Sequence, residues 1–95
     1  ANWYDNVEGL IIEDNYVEIE AGDYNRQLVV YAYYRDGAPK QIDASKLDFA
    51  IDPAIGLTVS ESGLIEGTAS AGTGIVTVSA KEKPELKASA TIICA

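Results

Sequence analysis

The sequence predicts an all-β domain, a sandwich of about seven short strands in two antiparallel sheets. Three observations carry that expectation: a hydrophobic period of two, short apolar runs, and turn residues recurring roughly every eight to twelve positions. The stretch Ser60–Ala80, SESGLIEGTASAGTGIVTVSA, shows all three together. No segment has the length and spacing of an amphipathic helix.

Residues 1–15 read as a linker or an extra edge strand, and residues 16–95 as the domain proper. The edge strand over Gly9–Ile12 is preferred, because Leu10, Ile11 and Ile12 in succession are costly to leave in water. Residues 16–21, YVEIEA, alternate, with Val17, Ile19 and Ala21 inward and Glu18 and Glu20 outward. Residues 26–34, RQLVVYAYY, predict one long strand, apolar on both sides. Leu28, Val30, Ala32 and Tyr34 share its inner face, and Val29, Tyr31 and Tyr33 its outer one. A single helical turn over Asp43–Lys46, with Asp43 as its cap, precedes LDFAI, where Leu47, Phe49 and Ile51 share a face.

Just before the stretch Ser60–Ala80, Leu57 and Val59 form a short strand, and within it Ile65 starts another that Gly67 ends. Gly63 and Gly72 occupy turns that call for positive φ, where a Cβ is costly. Val76 and Val78 point inward on the next strand, with Gly74 leaving room beneath a neighbour. Lys83-Pro84-Glu85 separates the last two strands, and Ala88, Ala90, Ile92 and Cys94 face inward on the final one. Leu28, Val30, Phe49, Ile65, Val76, Val78, Ala90 and Ile92 form the expected core. Burying each of the larger ones contributes roughly 1.5–3 kcal/mol.

Composition narrows the function. Seven basic and fifteen acidic residues leave a formal charge of −8, a field that repels phosphate backbones and disfavours nucleic acid as a partner. No apolar run approaches the ~20 residues that span a bilayer, so membrane insertion is not expected. Cys94 is the only cysteine, which leaves no internal disulfide and keeps the compartment open. Methionine is absent and the chain begins at Ala1, which reads as a piece excised from a longer polypeptide.

The order of these features resembles the group 2 bacterial immunoglobulin-like domain over residues 16–95. The resemblance rests on VEIEAGD, LDFAI with Phe49 in place of the commoner tryptophan, LTVSESGLIEG, SAGTGIVTVSA and KASATIICA. It implies an immunoglobulin-like, Greek-key sandwich with no cofactor and a modular role. That role is to space or display neighbouring domains of a parent chain at a bacterial surface or in a secreted protein, or to adhere to a protein or glycan. The alternative it implies is an appended domain of a phage capsid or tail protein that binds weakly to the host surface.

Candidate chemistry is sparse. Without histidine, Ser-His-Asp and Cys-His sites are excluded, along with the commonest zinc ligands. Cys94 reads as a small core residue rather than a nucleophile. Gly72-Thr73-Gly74 reads as a strand-entering turn rather than a phosphate loop. Glu18 and Glu20 read as a solvated face. Asp43, Asp48, Asp52 and Glu61 fall near loop ends where oxygen ligands could gather around calcium, but no recognised ligand spacing appears, and plain surface charge is preferred, with no metal expected. The binding candidates are Tyr31 and Tyr33, whose shared outer face could stack sugars or a partner's surface. The plainer reading is that they cover the sheet or pack under the N-terminal segment with Trp3 and Tyr4.

Overall fold

The computed structural model describes all residues, 1–95, and is all-β apart from one 3₁₀ turn. Ten strands follow in order: β1 (Val7–Ile12), β2 (Tyr16–Ile19), β3 (Gly22–Gln27), β4 (Val30–Tyr34), β5 (Lys40–Gln41), β6 (Leu47–Ile51), β7 (Leu57–Val59), β8 (Leu64–Ala69), β9 (Gly72–Ala80) and β10 (Lys83–Cys94). They form three hydrogen-bonded sheets, ordered β1-β4-β5, β2-β10-β9-β6 and β3-β8-β7. One pairing, β2 with β10, is parallel. The strands number ten in three sheets with one parallel pairing, against an expectation of about seven in two antiparallel sheets, and two chain breaks account for most of the difference.

The first break divides the long strand expected over residues 26–34. Pairing with β8 runs from Gly22 to Gln27 and extends through a hydrogen bond from Leu28 N to Gly63 O, 2.8 Å. Beyond it, Val29 O accepts from Glu13 N at 2.9 Å and Val30 O from Ile42 N at 2.9 Å, so the chain changes partners. The pleat continues through the change, and Leu28, Val30 and Ala32 are all buried on one face. Side-chain parity thus follows the sequence, while the hydrogen-bond partners do not.

The second break lies between β1 and β2. Asp14 takes a positive φ of 53° there, and the chain passes from β4 to β10. Arg26 braces this corner by donating from Nη2 to the carbonyls of Glu13 and Asp14, the latter at 2.8 Å. Strand β2 ends at Ile19, and Ala21 is exposed rather than inward.

The turn after Ala80 is Lys81-Glu82, not Lys83-Pro84-Glu85. Those three residues begin β10, at a register irregularity between Lys83 and Lys87 where Pro84 can sit without donating to a ladder. Gly67 lies inside β8 rather than at its end, with φ +145° and the backbone of Gly56 and Leu57 pressed against it. Other local expectations hold. Asp43 caps the turn Ala44–Lys46 by accepting from Ser45 N at 3.0 Å, and β6 is Leu47–Ile51. Gly63 and Gly72 have φ of +81° and +142°. Gly74 makes room for Ile55, whose Cγ1 would stand 3.1 Å from a Cβ there.

One cluster of buried apolar side chains forms the core. Seven of the eight expected core residues are in it; Phe49 is instead half-buried and packs against its margin. Leu10 and Ile12 of β1 belong to the same cluster, which therefore draws on the first fifteen residues as well as on 16–95. Cys94 is buried and unpaired.

Candidate functional site

The pairing of β1 with β4 sets Gly9 opposite Tyr33 and Ile11 opposite Tyr31. Because side chains alternate across a strand, Leu10, Ile12, Val30 and Ala32 point into the core and this second set points out. Tyr31 and Tyr33 therefore share the outer face of the β1-β4-β5 sheet. Tyr31 is half-buried, whereas Tyr33 is 39% exposed and Ile11 42% exposed.

Tyr33 does not stand away from the sheet. Its ring lies across β1 in the space a Cβ on Gly9 would need, so the glycine lets an aromatic side chain lie flat on its neighbour strand. Beside the pair, the register shifts between Val7 and Gly9, a bulge that displaces Glu8. Glu8 then meets Arg35 in the molecule's one ion pair, 3.3 Å and well exposed. Gln41 of β5 faces Tyr31 from the other side. The result is an apolar strip of Tyr33, Ile11 and Tyr31 bordered by hydrogen-bonding groups. Strand β1 hydrogen-bonds within this sheet to β4 alone.

Trp3 meets both Tyr34 and Tyr4. The Tyr34 hydroxyl donates to Trp3 O at 3.0 Å, and the Trp3 and Tyr4 rings make an edge contact at 5.8 Å. Tyr33 itself covers the sheet, lying over β1 at Gly9. Ile11 was missed as part of this face. Its signal was parity within GLII, which sends Leu10 and Ile12 in and Ile11 out.

The carboxylates offer no converging site. No group of three or more acidic or cysteine side chains is placed to hold a metal ion, so Asp43, Asp48, Asp52 and Glu61 do not gather. Glu18 and Glu20 are exposed, and Glu18 accepts a 3.3 Å hydrogen bond from the Tyr16 hydroxyl. The charge of Glu18 raises the pKa of that phenol. A cleft of about 340 Å³ opens beside the break between β3 and β4, between Leu28, Phe49 and Ile42. Asp43 is the only carboxylate lining it, and glycoside hydrolysis ordinarily needs two.

The fold is similar to that of domains of an S-layer protein. Domains 4 and 5 of the S-layer protein SbsC match with a TM-score of 0.63 at 14% identity, over 94% of this chain and 52% of that one. Domains 5–6 of the same protein match with a TM-score of 0.64 at 14% identity, over 94% and 44%. A Bacteroides fragilis chain described as an α-galactosidase matches with a TM-score of 0.50 at 16% identity, over 94% of this chain but 18% of that one. This chain thus spans about half the length of each SbsC structure. No protein-family profile matches it, and no curated protein does.

Proposed function

We propose that this chain is a non-catalytic immunoglobulin-like module of a larger bacterial cell-surface or secreted protein. It spaces or displays neighbouring domains and makes adhesive contact through the Tyr31 and Tyr33 face. The observation that carries the reading is the fold match to two-domain pieces of an S-layer protein, of which this chain covers about one domain's length.

Strand order supports the immunoglobulin-like assignment. The run β6-β9-β10 corresponds to the C-F-G sheet of such sandwiches, and β1 on β4 followed by β3-β8-β7 corresponds to A-B-E-D. Joining β1 to β2 and β3 to β4, and setting aside the two-residue β5, leaves seven strands. The resemblance of residues 16–95 to the group 2 bacterial domains supports the same reading. The S-layer neighbours favour a surface module over a phage virion domain.

Function as a spacer needs a stable core, and function as an adhesin needs an apolar surface the core does not require. Ile11, Tyr31 and Tyr33 supply that surface, with flat aromatic area suited to a sugar ring or a partner's side chains. Binding of the intact chain to an array of bacterial and host glycans, repeated with Tyr31→Ala, tests it. Loss of signal in the variant is the expected result, and unchanged binding would remove the tyrosine face from the account.

A further inference from the structure

Strand β6 ends its sheet and is hydrogen-bonded to β9 alone. Along an antiparallel pair, residues that exchange backbone bonds alternate with residues that do not. Lys81 N donates to Lys46 O at 3.0 Å and Asp52 N to Ile75 O at 2.9 Å. With Asp48 opposite Ser79 and Ala50 opposite Thr77, the even-numbered residues are therefore the ones bonded to β9. Phe49 and Ile51 turn their N–H and C=O groups to the other edge, where no backbone partner meets them. Leu47 has the same orientation, and its N–H is spent on Ala44 O, which leaves its carbonyl.

Other boundary strands carry devices that discourage further pairing. Strand β1 has the bulge between Val7 and Gly9. Strands β5, β7 and β2 have only two, three and four residues. Strand β3 bears Asp23 and Arg26, and Arg26 reaches from it to the carbonyl of Asp14. Strand β6, LDFAI, is five residues in unbroken register with no bulge, proline or lysine. Space is left beside it, since hollows of about 340 and 130 Å³ are both walled by Leu47 and Phe49.

This edge is complementary to itself. Turned end for end about Phe49, two copies set Leu47 against Ile51, Asp48 against Ala50 and Phe49 against Phe49. Each Phe49 then exchanges both backbone bonds with its counterpart, and each Ile51 N–H donates to the other copy's Leu47 carbonyl. The spent Leu47 N–H leaves only the Ile51 carbonyl to water, and no carboxylate stands directly opposite another.

We propose that this chain self-associates through β6, two copies pairing antiparallel about a two-fold axis at Phe49 and merging their four-stranded sheets into one. The contact closes on itself, so it gives dimers and not filaments. It uses neither Tyr31 nor Tyr33 and stands independently of the adhesive reading of that face. Each copy carries a charge of −8, so mutual repulsion keeps the dimer weak and added salt strengthens it.

Sedimentation equilibrium of the intact chain from micromolar to millimolar concentration should show a monomer–dimer equilibrium. Asp48 and Ala50 are exposed, so Ala50 can be changed without disturbing the core. Ala50→Asp sets carboxylates directly opposite across the two-fold axis and should weaken the dimer about fivefold. Ala50→Lys sets an ammonium opposite Asp48 and should tighten it about fivefold, a gain that high salt removes. Both variants should keep the parent's melting temperature in dilute, monomeric solution. The same two charges placed at Ala71, exposed in the β8–β9 turn, should change the dimer far less. A chain that stays monomeric at millimolar concentration would overturn the proposal. So would shifts of the same sign from Ala50→Asp and Ala50→Lys, a dimer indifferent to both, or equal shifts from the Ala71 variants. Loss of the dimer in Tyr31→Ser/Tyr33→Ser would also overturn it, by moving the contact to the tyrosine face.

Discussion

The β9–β10 hairpin and the β1–β4 pair are both antiparallel, and both send small or branched apolar residues into the same core. Their outer faces differ. Along β9 the outward positions are Thr73, Ile75, Thr77 and Ser79, and along β10 Ser89, Thr91 and Ile93, so two isoleucines sit among hydroxyl-bearing side chains and no aromatic does. Across β1 and β4 they are Gly9, Ile11, Tyr31 and Tyr33. Hydroxyl-bearing, β-branched side chains suit a solvated sheet face. Aromatic and aliphatic side chains gathered on such a face are what the proposed contact surface requires. Both pairs contribute to the core, and the β1–β4 pair also carries the exposed Ile11 and Tyr33.

This contrast predicts a hierarchy of effects. The largest should come from the hairpin's inner face. Ile92→Ala, at a fully buried position opposite Gly74, should cost about 2–5 kcal/mol in urea denaturation. Ile11→Ser, on the outer face of β1, should cost no more than about 1 kcal/mol by the same measurement. Equal losses would erase the distinction between the two regions.

Next in size is Gly67→Ala. A Cβ there faces both a positive φ and the backbone of the neighbouring strand, with Leu57 Cα only 3.2 Å away. A loss of about 1–3 kcal/mol is expected, seen as a lower denaturation midpoint. Tyr33→Ala should be milder, about 0.2–1 kcal/mol, because it removes one cross-strand contact over Gly9.

The smallest effect concerns acid. Hydrogen bonds from Ser45, side chain first and then backbone, hold the Asp43 carboxyl below its ordinary value of 3.8. A lowered folded-state pKa means that its contribution is present above the unfolded value and disappears as pH falls through the folded one. Asp43→Asn keeps an acceptor for the cap but removes the titration. The variant's melting temperature should therefore match the parent's trend at neutral pH and fall less steeply below about pH 3.8.

Much of the fold was legible because side-chain parity is local. Leu28, Val30, Val76, Val78, Ala90 and Ile92 were identified as core from a period of two, which does not depend on which strand lies alongside. The partner switch at Leu28-Val29 was not legible, since parity runs through it unbroken. The corner at Asp14 depends on Arg26, twelve residues away, and nothing near Asp14 announces that support. Phe49 has inward parity but lies on β6, the outermost strand of its sheet, and packs only against the core's margin. For the candidate site, Tyr31 and Tyr33 were legible from parity. Their neighbours Gly9 and Ile11 became visible only with the β1–β4 register, because cross-strand proximity is a non-local fact.

The central claim is that the Tyr31 and Tyr33 face serves contact rather than stability. Its most direct measurement is the double variant Tyr31→Ser/Tyr33→Ser, compared with the parent chain for binding on one glycan array and for thermal unfolding in the same buffer. The account predicts that binding is lost while cooperative unfolding persists with only a modest drop in midpoint. Undiminished binding by the variant, or no binding by the parent chain, would contradict it.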